Sequence, residues 1–90
     1  MREIEISKLN ELKNIFYSIH LRKDTGDYQK TITELMRHWE CSKDIVLMHI
    51  KELERNKILC ISKPFNWIWL CDDAVKEKDK EIGLVGSGIF

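Results

Sequence analysis

The hydrophobic pattern changes its period once within residues 42–71, SKDIVLMHIKELERNKILCISKPFNWIWLC. In its first part, apolar residues recur at the spacing i, i+4, i+7, which predicts an α-helix with one buried stripe. Ser42 stands directly before this pattern, where a serine commonly caps a helix, so we predict a helix over residues 43–57. The inward-facing stripe comprises Val46, Ile50 and Leu53.

After this helix the pattern switches to a period of two, which is that of β-strands, over residues 59–62 and 67–71. Residues 63–66 interrupt this pattern. Pro64 sets one φ angle and Asn66 tolerates a positive φ, so both residues suit a turn at the interruption. We therefore predict a β-hairpin over residues 59–71, in which Trp67 and Trp69 lie on the same face.

Two further helices are predicted ahead of this stretch. Ser7 is placed to cap a helix over residues 8–22, in which apolar residues again recur at helical spacing. A polar turn that contains glycine follows, and residues 28–32 then suit a short strand. A helical pattern begins again at Thr33 and fades near Cys41, which predicts a second helix of about two turns.

Charge and composition limit the functions that are open to the chain. It has 15 Lys and Arg and 15 Asp and Glu among 90 residues, so its formal net charge is zero. Proteins that coat nucleic acid without sequence preference carry a clear basic excess, which is lacking here. Residues 72–81 hold five acids and three bases, which leaves twelve bases and ten acids for the rest of the chain. A DNA-binding surface would therefore have to be a local one.

The sequence predicts one folded domain over residues 1–73 and a C-terminal tail over residues 74–90. The tail joins a charged stretch to an apolar, glycine-rich end, so we expect it to be a short helix or extended, docked on a second subunit. No apolar run approaches the roughly 20 residues that span a bilayer, and the N-terminus lacks the order of a signal peptide. We therefore expect a cytoplasmic protein that does not bind membranes.

The order helix, short strand, helix, tight turn, helix and hairpin is that of a winged helix. The segments that carry the pattern are Thr33-Glu34-Leu35-Met36, Cys41-Ser42-Lys43-Asp44-Ile45-Val46, Ile50-Lys51-Glu52-Leu53-Glu54 and Ile58-Leu59. In these segments the chain resembles the MarR- and ArsR-like transcriptional regulators of bacteria and archaea. The resemblance implies an α+β fold, a small winged helix-turn-helix of three helices plus a two- or three-stranded β-wing.

The resemblance also implies a function. We expect a transcriptional regulator that binds double-stranded DNA as a homodimer, with helix 43–57 in the major groove and hairpin 59–71 as the wing. Helix N-termini and ammonium groups suit phosphates, and a hairpin tip reaches the flanking backbone. The predicted DNA-binding residues are Arg37, Ser42, Lys43, Met48, Lys51 and Lys63. No cofactor is expected, and the absence of a phosphate loop, a zinc-protease helix motif or a nucleophile elbow argues against an enzyme.

The chain departs from the pattern of these regulators in two respects. Lys57 stands where they usually carry glycine, and a left-handed residue other than glycine costs about 1 kcal/mol, so the helix is expected to end through Asn56 instead. Leu47 and Met48 stand where polar residues usually meet base edges, and apolar side chains make no bidentate hydrogen bonds with bases. The alternative function is a protein-binding module that uses these two residues and the Trp-bearing hairpin, without contact to DNA.

The aromatic residues of the hairpin, Phe65, Trp67 and Trp69, admit two interpretations. They either form a stacking platform for single-stranded nucleic acid, or they cover the core or a dimer surface. The large area that a tryptophan buries favours the second interpretation.

The cysteines admit three interpretations. Their odd number and wide spacing favour reduced thiols in the core. His38 and Cys41, together with Cys60 and Cys71, are candidate zinc ligands, although zinc sites usually show a closer second pair. Cys60 and Cys71 alternatively form a disulfide, if the hairpin register lets them face each other.

Overall fold

The chain follows the order helix, strand, helix, helix, strand, strand, helix in a computed structural model that describes residues 3–87. Within this range the fold is α+β, with four helices and one small three-stranded antiparallel sheet. Residues 88–90 of the predicted tail lie outside the described residues. The elements are α1 (Ile6–Leu21), β1 (Gly26–Asp27), α2 (Tyr28–His38), α3 (Lys43–Arg55), β2 (Leu59–Ser62), β3 (Trp67–Leu70) and α4 (Asp72–Ser87).

Helix α1 begins at Ile6, so the predicted cap at Ser7 is wrong: the residue at the N-cap position is Glu5. The cause is a contact that is distant in sequence. The backbone N–H of Glu5 donates to Nε2 of His49 on α3 at 3.0 Å, and this bond fixes the chain just ahead of the helix. The residues of α1 that are buried in the core are Leu12, Phe16 and Tyr17.

Helix α2 begins at Tyr28, so the strand predicted over residues 28–32 is wrong, and the strand that exists, β1, ends just before it. Asp27 sets this boundary, because its Oδ1 accepts the backbone N–H of Lys30 at 2.8 Å and caps the helix. With 11 residues, α2 makes about three turns instead of the two predicted.

The strands lie in the order β1-β3-β2, and both pairings are antiparallel. The predicted hairpin is confirmed by β2 and β3. The predicted common face of Trp67 and Trp69 is confirmed too, because the residue between them, Ile68, is buried on the opposite face. Pairs on the inner face are Leu59–Leu70 and Ile61–Ile68, and pairs on the outer face are Cys60–Trp69 and Ser62–Trp67.

Helix α3 (Lys43–Arg55) buries the stripe that its period predicts. It ends at Arg55 with Asn56 as its C-cap, so the predicted end through Asn56 is confirmed, but Asn56 is not the left-handed residue, because its φ is −87°. Lys57 itself takes the left-handed conformation, with φ 60°, and the N–H of Ile58 then donates to the carbonyl of Leu53 at 2.8 Å. The bond closes the helix end, so a lysine adopts the left-handed conformation that glycine usually takes at this position.

Helix α4 is the element that makes the predicted count of three helices wrong. It follows β3 directly, and Val75 is part of the core. The hydroxyl of Tyr17 donates to the carboxylate of Asp79 at 2.5 Å, and this bond raises the pKa of Tyr17. The ammonium group of Lys78 donates to the amide oxygen of Asn14 at 2.5 Å. Helix α4 is thus tied by side chains to α1 of its own chain.

Candidate nucleic-acid interface

A groove of about 380 Å³ lies between the start of α2, the outer side of α3 and the β2–β3 turn. Two predicted DNA-binding residues line it, Lys43 on α3 and Lys63 in the turn, and no acidic residue does. The groove is therefore locally positive in a chain whose formal net charge is zero. Its lining comprises Tyr28, Gln29, Ile32, Thr33, Met36, Lys43, Leu47 and Lys63.

The turn that carries Lys63 is fixed to the start of α2 by Asn66, which has the positive φ that the sequence predicts, at 57°. The Nδ2 of Asn66 donates to Oδ1 of Asp27 at 2.8 Å, and its Oδ1 accepts the backbone N–H of Gln29 at 3.0 Å. Its carbonyl accepts the N–H of Tyr28 at 2.9 Å. Turn and helix are thus held together by three hydrogen bonds.

The first donors of α2 are occupied by these contacts. The Lys30 N–H and the amide of Asn66 both donate to the Asp27 carboxylate, and they hold the pKa of that group below its usual 3.8. Because the N–H groups of Tyr28, Gln29 and Lys30 all have partners, they are not open donors for a phosphate. The charge available to an anion in this groove comes from the two lysines.

A second groove runs along the other side of the outer face of α3 and holds the predicted residues Met48 and Lys51. Its charges are mixed, since Arg55 pairs with Glu52 across one turn of the helix. This side of α3 therefore offers little net attraction to a polyanion. The lining comprises Ile4, Met48, Lys51, Glu52, Glu54 and Arg55.

The remaining predicted residues, Arg37 and Ser42, line neither groove. Arg37 is exposed in the last turn of α2. Ser42 stands at the N-cap of α3 as predicted, but its hydroxyl makes no capping hydrogen bond, and its carbonyl accepts the N–H of Ile45 at 3.2 Å. The structure thus brings Lys43 together with Lys63, and Met48 with Lys51.

His49, which the sequence analysis does not single out, is fully buried behind this surface. Its Nδ1 lies 2.7 Å from the carbonyl of Ile45, and its Nε2 lies 3.0 Å from the N–H of Glu5. A carbonyl needs a donor and an N–H needs an acceptor, so the ring is the neutral Nδ1–H tautomer. The signal for its burial is its spacing of three from Val46, on the edge of the buried stripe.

Phe65 and Trp67 contradict the interpretation that the hairpin aromatics cover the core. They are 66% and 48% exposed, and their rings stack on each other with centroids 5.1 Å apart and planes 24° apart. Trp69 is only partly exposed and lies opposite Cys60 on the outer face of the sheet. Of the three hairpin aromatics, the two nearest the turn, Phe65 and Trp67, are therefore the exposed ones.

Cys60 and Cys71 are joined in a disulfide, with Cα atoms 5.6 Å apart, so the prediction of reduced thiols is wrong for both. The register is the reason: Cys60 pairs with Trp69, and Cys71 lies two residues further on the same face. The bond also removes both sulfurs as zinc ligands. Within residues 3–87, no group of three or more His, Cys, Asp and Glu side chains is arranged to hold a metal ion.

This geometry suits the binding of an anion, because two lysines line one groove and no carboxylate does. No helix in the described part of the chain is both long and apolar enough to cross a membrane. Comparison of the sequence with protein-family models and with curated proteins, and of the fold with solved structures, found no match.

Proposed function

We propose that the chain is a winged helix-turn-helix protein that binds double-stranded DNA and regulates transcription without catalysing a reaction. The element order supports this proposal, since α2 and α3 are separated by a short turn and an antiparallel hairpin follows them. In such a protein α3 enters the major groove, and the β2–β3 hairpin is the wing on the flanking backbone. The observation that carries the proposal is the groove of Lys43 and Lys63, which is free of acidic lining residues.

The dimensions of α3 agree with this role. Its 13 residues make a helix of about 20 Å, and a major groove about 12 Å wide admits a helix. Lys43 and Lys63 would neutralise phosphates of the DNA backbone at the groove that they share, which fixes position without reading sequence. Leu47 and Met48 are half-buried and apolar, so they can meet thymine methyl groups, and we expect modest discrimination between sequences.

We further propose that two copies bind together, because two half-sites multiply a weak contact by a single copy. Exposed apolar residues at both ends of α1 and on α4 are available for that association. They are Ile6, Leu21 and Ile82.

The test is DNA binding by fluorescence anisotropy over a series of salt concentrations, with wild type and Lys43→Ala/Lys63→Ala. Each phosphate contact contributes about 0.9 to the slope of log K against log salt, so the double variant is expected to lose about 1.8 from the slope. The matched control is Lys76→Ala/Lys80→Ala, which removes the same charge from exposed positions of α4. Equal slopes for the two double variants would contradict the assignment of this groove to DNA binding.

A second candidate function is supported by the charges of α3. Along its length the cations Lys43, Lys51 and Arg55 are balanced by the acids Asp44, Glu52 and Glu54. A protein-binding module would use Leu47, Met48 and the Trp-bearing hairpin on such a neutral face. Failure of wild type to bind DNA at any salt concentration would favour this function.

A further inference from the structure

The aromatic pair next to the wing turn is presented to solvent in a fixed arrangement. Phe65 and Trp67 each use one ring face in their mutual stack, and both remain about half exposed or more. Packing normally covers aromatic rings because they bury a large apolar area. An exposed pair of stacked rings is therefore a candidate binding surface.

The backbone between the two rings is rigid. Asn66 lies between them and is bonded through its side chain and its carbonyl to Asp27, Tyr28 and Gln29. A surface that is already ordered loses little conformational entropy when it binds. The Phe65–Trp67 pair is thus preorganised to stack on a ligand with a flat face.

The charges around the pair select the kind of ligand. Lys63 belongs to the same turn as Phe65 and lines the groove that holds no acid. Asp27 pairs with Trp67 in the sheet, but the amide of Asn66 and a backbone N–H donate to its carboxylate. A pair of exposed rings next to a lysine-bearing turn suits a ligand that is both planar and anionic, and a nucleic-acid strand combines stacking bases with phosphates.

We propose that the Phe65–Trp67 pair stacks on unpaired bases, so that the protein prefers duplex DNA with a single-stranded extension to the same duplex with blunt ends. The inference rests on the proposed DNA-binding function: the lysine groove holds the duplex backbone, and the wing takes bases that have left the helix. Unstacking a paired base costs free energy, whereas a base in an extension is already free to stack.

The test compares anisotropy with a blunt duplex and with the same duplex carrying an unpaired thymidine extension. Wild type is expected to bind the extended duplex about tenfold more tightly, within the range of one stacked base. Phe65→Ala/Trp67→Ala is expected to lose that preference and to bind both duplexes with the same affinity. The control His20→Ala removes another exposed aromatic ring, from α1, and is expected to keep the preference.

A second variant separates stacking from folding. Trp67→Phe keeps an aromatic ring, so it is expected to keep the preference. Wild type is expected to show quenching of its tryptophan fluorescence by oligothymidine, and Trp67→Phe is expected to lose the part that comes from Trp67. Equal preference in wild type and the double alanine variant would overturn the inference and leave duplex binding standing. If wild type bound neither DNA, both proposals would be overturned. If wild type showed no preference for the extension but bound phosphatidylserine vesicles through the Phe65–Trp67 pair, the pair would be assigned to membranes instead.

Discussion

Gly26 lies where β1 crosses the core, and its lack of a side chain permits the pairing of β1 with β3. A Cβ there would lie 2.8 Å from Cε1 of Phe16 and 2.9 Å from the backbone oxygen of Ile68, which cannot move without disturbing the sheet. We expect Gly26→Ala to lower the free energy of unfolding by about 1–3 kcal/mol, measured by urea denaturation. The exposed neighbour serves as control, since Thr25→Ala should stay within about 0.5 kcal/mol. Equal stability of the two variants would contradict the steric argument.

Single residues differ in how far the sequence reveals their conformation. Asn66 was predictable, because asparagine tolerates a positive φ and stands within an interruption of the strand pattern. Lys57 was not, since the closing bond from Ile58 to Leu53 stabilises a conformation that lysine alone disfavours. Composition says nothing about such a compensating bond.

At the scale of the element, the Asp27 carboxylate caps α2 and makes the stability of that helix depend on pH. Its hydrogen bonds keep its pKa in the folded chain below the usual 3.8, so the stabilisation is complete above that value and is lost as the pH falls through the lower, folded-state pKa. Asp27→Asn retains a capping oxygen but does not titrate. We expect the unfolding free energy of wild type to fall more steeply on acidification than that of the variant, in urea titrations from pH 6 down to about pH 2. Parallel pH profiles would show that the cap is not linked to protonation.

The elements with a clear period were predictable, and those whose ends depend on distant partners were not. Helix α3 and the hairpin follow from apolar spacing alone. The start of α1 depends on the bond between Glu5 and His49, 44 residues apart. The start of α2 depends on Asp27 and on Asn66, which is 39 residues away. No local pattern encodes such bonds.

At the scale of the whole molecule, the fold brings four of the six predicted site residues together in two pairs, one in each groove. Lys43 and Lys63 are 20 positions apart in the sequence, and they line one groove because the β2–β3 turn is bonded to the start of α2. The resemblance predicts that both lysines contact DNA, but it does not predict that they line the same groove, since residues 28–32 were expected to form a strand. The mixed charges around Lys51 likewise emerge only when the groove is assembled.

The disulfide joins β2 to the residue just before α4, and it acts on the molecule as a whole by restricting the unfolded chain. Cys60 and Cys71 are 11 residues apart, and closing a loop of that length stabilises the folded state by about 3 kcal/mol in the chain-entropy model. In a Cys41→Ala background, which removes the third thiol, we expect a reductant to lower the melting temperature by roughly 4–8 °C for each kcal/mol lost. Cys60→Ala/Cys71→Ala in the same background should melt at the reduced temperature and ignore the reductant. Neither cysteine lines the groove of Lys43 and Lys63, so the proposed DNA affinity is expected to be the same in both redox states below the melting transition. A reductant that abolished binding by the folded protein would show that the disulfide also positions the β2–β3 hairpin.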